Sequence, residues 1–383
     1  MELGETVSDR AGRELNAIYV SVELSRKTWL VTSLSPGAGE KLSRHMVDGG
    51  DVGGLLERLT KLRSRARDRT GSDYPVVVIQ EAGLDGFWVH RVLEAEGHES
   101  YIVDAASIAT SRRRRRVKTD RLDGETLVRA LLAFKRGEPR VCSMLRAPTP
   151  AEEDRRRIAR ERKVLMQERI QHSNRIKGLL FSQGITGYDP TKRDRRKNLA
   201  TLRTGDGREL PPHITHQIER ELDRLELALD QIRRIEAERD AMLAEERQSS
   251  REVEMLSNIV GIGPEFAAVL WGEGLFRHFD NRRQVAAYAG LAPTPWQSGS
   301  IDLEQGIGKS GNPRLRSTLL ELAWLWLRHQ PRSDLSRWFN DRVAQNGGRL
   351  KKVMITAMAR KLVVALWKYV TAGVVIEGAV MRT

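Results

Sequence analysis

The sequence predicts an α/β domain at the N-terminus and a helical remainder. Three observations carry that expectation. Short β-branched runs bounded by turn residues fill the chain up to Pro148, with AIYVSVEL and PVVVIQ the strongest of them. Past Pro148 these give way to stretches rich in Arg and Glu. From Ile214, apolar residues step along the chain at the spacing of a helical seam.

In chain order, Ala17 to Leu24 reads as a strand. After Ser25, Arg26 and Lys27, a second run, Thr28 to Thr32, lies close enough to pair with it as a hairpin. Lys41 to Val47 is a third strand, and Val52 to Arg67, with Leu55, Leu56, Leu59 and Leu62, an amphipathic helix. Pro75 to Gln80 is nearly continuous in apolar residues, as befits a strand buried on both faces. A helix around Phe87 to Glu96, a strand from Ser100 to Val103, an arginine-rich loop and a helix from Arg121 to Lys135 follow. This is the element order of an RNase H-like fold, although other α/β domains share most of it. Ala151 to Leu180 carries no strand signal, and Thr186 to Arg208 is polar. Ile218, Leu222, Leu225, Leu229 and Ile232 form a coiled-coil seam that pairs either within the chain, against the Ala151 helix, or between chains. From Met255, short helical patterns and Gly/Pro turns describe a second, compact, mostly helical domain. The expected divisions are a tail (1–16), an α/β domain (17–148), a helical coiled-coil region (149–250) and a C-terminal domain (251–383).

A chain of 383 residues has room for two or three domains. Lys and Arg number 65 against 51 Asp and Glu, a formal charge of +14 that favours a polyanionic partner through counterion release. A generally basic protein that binds nothing has the same totals, so local clustering decides. The single cysteine, Cys142, excludes a disulfide framework and a Cys-built zinc site, and leaves a reduced cytoplasm as the default. MELGETVSDRAGREL lacks the apolar core of a signal peptide. Val363 to Val380, the most apolar tract, is interrupted by Lys368 and Glu377 and is too charged to span a bilayer comfortably. No membrane association is expected.

Four acidic residues stand where an RNase H-like fold would carry metal ligands. Glu23 lies near the end of the first strand, and Glu81 follows VVVIQ at the carboxyl edge of the sheet. Asp120 and Asp123 lie three apart, so that if the Arg121 helix begins near them they share one face. Carboxylates so placed can hold two Mg²⁺ ions about 3.5–4 Å apart on a phosphodiester. Alternatively, Asp120 is an N-cap and Asp123 a first-turn acid. Beside them stand Arg112, Arg113, Arg114, Arg115, Arg116 and Lys118, six basic charges in seven residues, which read as a phosphate clamp. A localisation signal or flexible basic loop is the alternative.

Farther on, LSNIVGIGPEFAAVL reads as a helix-hairpin-helix, with Gly261 and Gly263 offering backbone N–H groups to phosphate; a plain helical corner weighs the same. A Gly/Ser/Pro-rich loop then holds Ser298, Ser300 and Ser310 and the cations Lys309, Arg314 and Arg316. Loop serines are usually turn formers, so spacing promotes none of them to a nucleophile. Ser298 and Ser310 each precede a glycine; His278 and Asp302 have no motif spacing to either.

The segments VSVELS, VVVIQEAG, RVKTDRLDG, GIGPEFAAVL, VAAYAGLAPTPWQSGS and GKSGNPRLR, in this order, resemble the DEDD transposases of bacterial insertion sequences. The resemblance runs from about Ile18 to about Gly373. It implies a RuvC-like domain, a coiled-coil insert and a C-terminal transposase domain, with an active site composed of metal-bound carboxylates and a serine. The family's acids fall on Glu23, Glu81, Asp120 and Asp123, and its nucleophile on Ser298. Glu23 departs from the family's Asp by one methylene. The resemblance further implies excision and insertion of an element, Mg²⁺ as cofactor, donor and target DNA and a noncoding bridge RNA as partners, a homodimer or homotetramer, and a bacterial cytoplasm with nucleoid association. Two other readings stand beside it. One is a RuvC-like junction nuclease using metal-activated water, with Ser298 structural. The other is a non-catalytic nucleic-acid-binding relic.

Overall fold

The computed structural model describes residues 15–382 apart from 40, 84–86, 105–106, 109–119, 139–140, 276, 299–300, 309–310 and 346. For 120–123, 249, 294–298 and 301–305 it describes the backbone alone. The chain divides into two compact units at Pro148 and Thr149.

The first unit is a mixed six-stranded sheet with helices on both faces. Strands β1 (Ile18–Glu23), β2 (Thr28–Leu34) and β3 (Ser43–Asp48) form an antiparallel meander. Helix α1 (Val52–Thr70) then crosses over, and β4 (Val76–Glu81) returns parallel to β1. Helix α2 (Trp88–Ala95) leads to β5 (Glu99–Val103), parallel to β4. After α3 (Asp120–Lys135), a two-residue strand β6 (Met144–Leu145) pairs antiparallel with β5. The spatial order is β3-β2-β1-β4-β5-β6. The sequence does not announce β6, because two residues are too short for a period.

Alternation along β1 sorts its side chains between two cores. Ile18, Val20 and Val22 pack with Leu55, Leu59 and Leu62 of α1 and Val89 and Leu93 of α2. Tyr19 packs on the other face with Val77 and Ile79 of β4 and Leu127, Val128 and Leu131 of α3. Burial on both faces explains the uninterrupted apolar run of β4. Helix α1 starts where the Asp51 carboxylate accepts from the Gly54 N–H at 2.8 Å and ends at Gly71, whose φ of 75° suits a residue without Cβ.

The second unit is mostly helical. Thr149 and Glu152 cap α4 (Pro150–Phe181) reciprocally. A short α5 (Arg195–Ala200) precedes α6 (Pro212–Ser249), and α4 and α6 run antiparallel along each other. The seam read from the sequence closes within the chain: Ile218, Leu222 and Leu225 pack on Ile176 and Leu180, and Ile232 on Leu165. Between the helices, Arg162 pairs with Glu236 at 2.6 Å and His172 with Glu221 at 2.6 Å, and Arg155 bonds Glu246.

The remainder packs into the same unit. It comprises α7 (Arg251–Ser257), α8 (Pro264–Leu270), a π-helical turn (Trp271–Leu275), α9 (Arg282–Tyr288), a ribbon of β7 (Pro293–Ser298) and β8 (Ile301–Ile307), then α10 (Pro313–His329), α11 (Asp334–Gln345) and α12 (Lys351–Ala372). Leu319, Leu322 and Trp326 of α10 meet Leu362, Val363 and Leu366 of α12 at its centre. The tract from Val363 is thus half core helix: α12 stops at Gly373, and the following tail binds the α7–α8 turn, Val260 N–H donating to Val380 O at 3.1 Å. Among the described residues no helix is long and apolar enough to cross a membrane.

The ribbon corrects the reading of residues around Ser298 as an irregular loop. Ile301, Leu303 and Ile307 alternate with polar residues at a strand's period, and the register shifts between Pro293 and Pro295, opposite Gly306, whose φ is 89°. A glycine bulge and prolines at a free strand edge conceal the pattern in the sequence.

Candidate active site and nucleic-acid interface

The acidic edge of the first unit is built by strand register. Val22 pairs with Gln80 across parallel β1 and β4, so the next residues, Glu23 and Glu81, stand side by side at the carboxyl ends of adjacent strands. Adjacent strands lie about 4.8 Å apart. Alternation puts both on the face that α3 covers, since Tyr19, Val77 and Ile79 belong to the α3 core. Glu81 is exposed and Glu23 half-buried.

Helix α3 meets this edge through its first turns. The Ser21 hydroxyl donates to the Gly124 carbonyl at 3.0 Å. A Cβ on Gly124 would lie 2.6 Å from Glu23 Oε1 and 2.4 Å from Thr32 Oγ1. Asp120 is the first residue of α3 and Asp123 immediately precedes Gly124. The helix therefore delivers the segment bearing both aspartates to the end of β1. Their side chains lie outside the described residues, and no group of three potential metal-binding residues occurs among those that are described. Arg112, Arg113, Arg114, Arg115, Arg116 and Lys118 also lie outside them. Carboxylate oxygens on adjacent strands are donors of the kind a hard divalent cation takes.

In the second unit, Ser298 ends β7, opposite Ile301, at the tip of the ribbon; its side chain, Ser300, Lys309 and Ser310 are outside the described residues. The base of the ribbon is firmly held. Gly308 N–H donates to Ala292 O at 2.8 Å and Asn312 N–H to Tyr288 O at 2.7 Å. Gly311, with φ 103°, passes so close to Tyr288 O that a Cβ would sit 2.5 Å from it. The Asn312 side chain caps α10, accepting from the N–H groups of Arg314 and Leu315 at 3.0 and 3.1 Å. Arg314 and Arg316 occupy the first turn of α10, and the Arg314 guanidinium has no polar partner among the described residues.

Sequence reasoning missed the group beneath this loop. Glu273, buried in the π-helical turn, receives Arg160 Nε at 2.8 Å and Nη2 at 3.2 Å, and Asn312 Nδ2 at 2.9 Å. Tyr288 OH donates to its carbonyl at 2.8 Å, and Arg156 Nε to that of Gly272 at 2.7 Å. Burial pushes the Glu273 carboxyl up, but hydrogen bonds from Arg160 and Asn312 and the charges of Arg160 and Arg156 outweigh it and hold the pKa below the ordinary value. The signal available was WGEGL, a lone acid between glycines in an apolar stretch, with its partners far away in the chain.

The segment read as a helix-hairpin-helix or a plain helical corner folds as α7, a turn and α8. Gly261 has φ 92° and packs against His329, while Gly263 caps α8 in extended conformation. A cavity of about 560 Å³ opens beside both glycines. The arginines around it are engaged internally: Arg239 with Asp240 and Glu265, Arg162 with Glu236 and Glu265, and Arg382 with the carbonyls of Ser257 and Ile262.

A family model described as "Transposase IS116/IS110/IS902 family" matches residues 253–336, the stretch from α7 into α11. The chain is 67% identical over 379 residues to "Putative transposase y4rJ" of Sinorhizobium fredii (strain NBRC 101917 / NGR234), covering 97% of this chain and 96% of that protein. It is 25% identical to the "Transposase for insertion sequence element IS1328" of Yersinia enterocolitica, over 79% of this chain and 85% of that protein. A further match, 26% identical over 66% of this chain and 67% of its own length, is the "Transposase for insertion sequence element IS1111A" of Coxiella burnetii. The chain belongs to the IS116/IS110/IS902 family of transposases.

Proposed function

We propose that this transposase excises and inserts its element by cleaving and rejoining DNA strands, with Ser298 as nucleophile and an RNase H-like, RuvC-type first unit as its metal-binding part. The observation that carries the reading is the acidic edge: Glu23 and Glu81 on neighbouring parallel strands, with the first turns of α3 set against Glu23 at Gly124. Glu23, Glu81, Asp120 and Asp123 hold Mg²⁺. When bound, the cation neutralises charge developing on the phosphate.

The chain's own groups do the rest. The Ser298 oxygen attacks phosphorus and forms a phosphoserine ester as the bond to a bridging DNA oxygen breaks, and the serine proton is transferred to that departing oxygen, which leaves as a hydroxyl. A covalent phosphoserine link conserves the bond energy for rejoining. Arg112 to Arg116, Lys118, Lys309, Arg314, Arg316 and the Gly261–Gly263 turn contact phosphates and fix position without reading sequence. A noncoding bridge RNA, recognised through backbone and shape, pairs with donor and target DNA, and the protein works as a homo-oligomer.

The test is a protein–DNA adduct that survives denaturation. It is expected in Mg²⁺ with the wild-type chain and with Ser310→Ala, and is lost in Ser298→Ala. Loss in Ser310→Ala alone moves the nucleophile to Ser310. Full cleavage by Ser298→Ala assigns the reaction to water, as in a junction nuclease. DNA binding without cleavage by the wild-type chain identifies a relic.

A further inference from the structure

Helix α3 carries a glycine at its fifth residue, Gly124, where backbone geometry does not require one: its φ lies outside the left-handed region. Glycine inside a helix is less stable than alanine, so the position calls for a local cause. The cause is on the sheet. Glu23 Oε1 and Thr32 Oγ1 both reach into the volume that a Cβ would fill, at 2.6 and 2.4 Å from its centre, and Thr32 Cβ lies 3.1 Å away. Such separations are far inside van der Waals contact. Ser21, on the same face of β1, pins the turn by its bond to the Gly124 carbonyl, so α3 cannot simply lift away.

Thr32 supplies the second observation. It pairs with Ser21 across β1 and β2, is 0% exposed, and its hydroxyl has no hydrogen-bond partner among the described residues. A buried hydroxyl without a partner is unfavourable. It and a Glu23 carboxylate oxygen both border the volume of the absent Gly124 Cβ. Valine would fill that space without a polar atom, so packing alone does not explain threonine.

We propose that Gly124 and Thr32 are positioning residues for Glu23: the glycine vacates the space that the glutamate carboxylate needs, and the Thr32 hydroxyl donates to that carboxylate and aims it at the cation. The orienting role rests on the metal reading above, whereas the packing role does not. Carboxylate ligands commonly need such outer donors, and their loss typically weakens metal binding about 10–100-fold.

Two measurements on the full-length chain judge the two roles separately. The first is the thermal midpoint in EDTA, with Gly124→Ala introduced into the wild-type, Glu23→Asp, Thr32→Ala and doubly substituted backgrounds. Gly124→Ala is expected to lower the midpoint most in the wild type, less in each single background and least in the double one. An equal loss in all four overturns the packing role. The second is Tb³⁺ luminescence with Mg²⁺ competition, which reads cation affinity without catalysis. Thr32→Val is expected to weaken binding about 10–100-fold while leaving the EDTA midpoint unchanged or higher. Unaltered affinity in Thr32→Val overturns the orienting role. Absence of any cation binding by the wild-type chain overturns the metal reading and the orienting role together, and the EDTA melts still decide the packing role.

Discussion

A carboxylate can be buried only where its desolvation is offset, and Glu273 meets that condition with a bidentate arginine and an asparagine amide. The consequence is a pH dependence of known sign. Its folded pKa lies below the ordinary value, so its contribution to stability is full above the unfolded carboxylate range near 4.3 and is lost as pH falls through the folded pKa. Glu273→Gln keeps the Asn312 interaction in altered form and removes the charge facing Arg160. Because Arg160 is partly exposed and can turn to water, the cost at neutral pH is about 1–3 kcal/mol. Urea unfolding of both proteins from pH 7 down to pH 3 is expected to show the gap narrowing only at the acid end; a gap constant across that range refutes the assignment. Beyond its place between glycines in WGEGL, the role of the residue could not be read in the sequence, for a physical reason. A buried ion pair has no period, and its partners stand 113 and 39 positions away.

Elements were more legible than single residues because periodicity averages over many positions. The nearly continuous apolar run of β4 and the leucine spacing of α1 each announced their element. The seam of α6 was legible too, but its partner was not, since a stripe of leucines and isoleucines fits any complementary stripe. The ribbon of β7 and β8 escaped because glycine, serine and proline in it serve a bulge and an edge instead of ending a strand. The hairpin of α4 and α6 yields a prediction. Leu225 is fully buried in that seam and Leu227, two residues on, is 58% exposed. Leu225→Glu buries a charge against Ile176 and Leu180 and should cost several kcal/mol. Because the seam is internal, the expected outcome is a lower or less cooperative melt of the chain, with Leu227→Glu unchanged as the control. Smaller particles that melt like the wild type, seen by light scattering for Leu225→Glu, would instead mean that the seam holds copies together.

For the whole molecule, the question is how an excess of +14 is distributed between internal pairs and surfaces able to meet a polyanion. Much of the charge in α4, α5 and α6 is committed: Arg162 of α4 and Arg195 and Arg196 of α5 are paired with glutamates or aspartates of α6, and Arg239 of α6 with Glu265. Such pairs do not release counterions when nucleic acid binds. The sequence total therefore overstates what is available, and composition alone could not separate the two populations. Cations outside such pairs should dominate the salt dependence of binding. Arg314 has no internal partner among the described residues, and Arg112 to Arg116 form the densest basic run of the sequence. Each phosphate that a variant no longer neutralises should reduce the slope of log K against log salt by about 0.9 on duplex DNA. Replacing Arg112 to Arg116 with alanine should accordingly flatten the slope by several units, and Arg314→Ala by about one. Both effects should be the same for any DNA sequence, because phosphate contacts carry no base information. Arg162→Ala should instead leave the slope unchanged and lower the melting temperature, since its guanidinium is held by Glu236 and Glu265. Titrations on two unrelated duplexes across a range of salt distinguish these cases. A slope unchanged by the five-arginine replacement would make that run a solvated loop, and a slope reduced by Arg162→Ala would show that its pairs open to admit DNA.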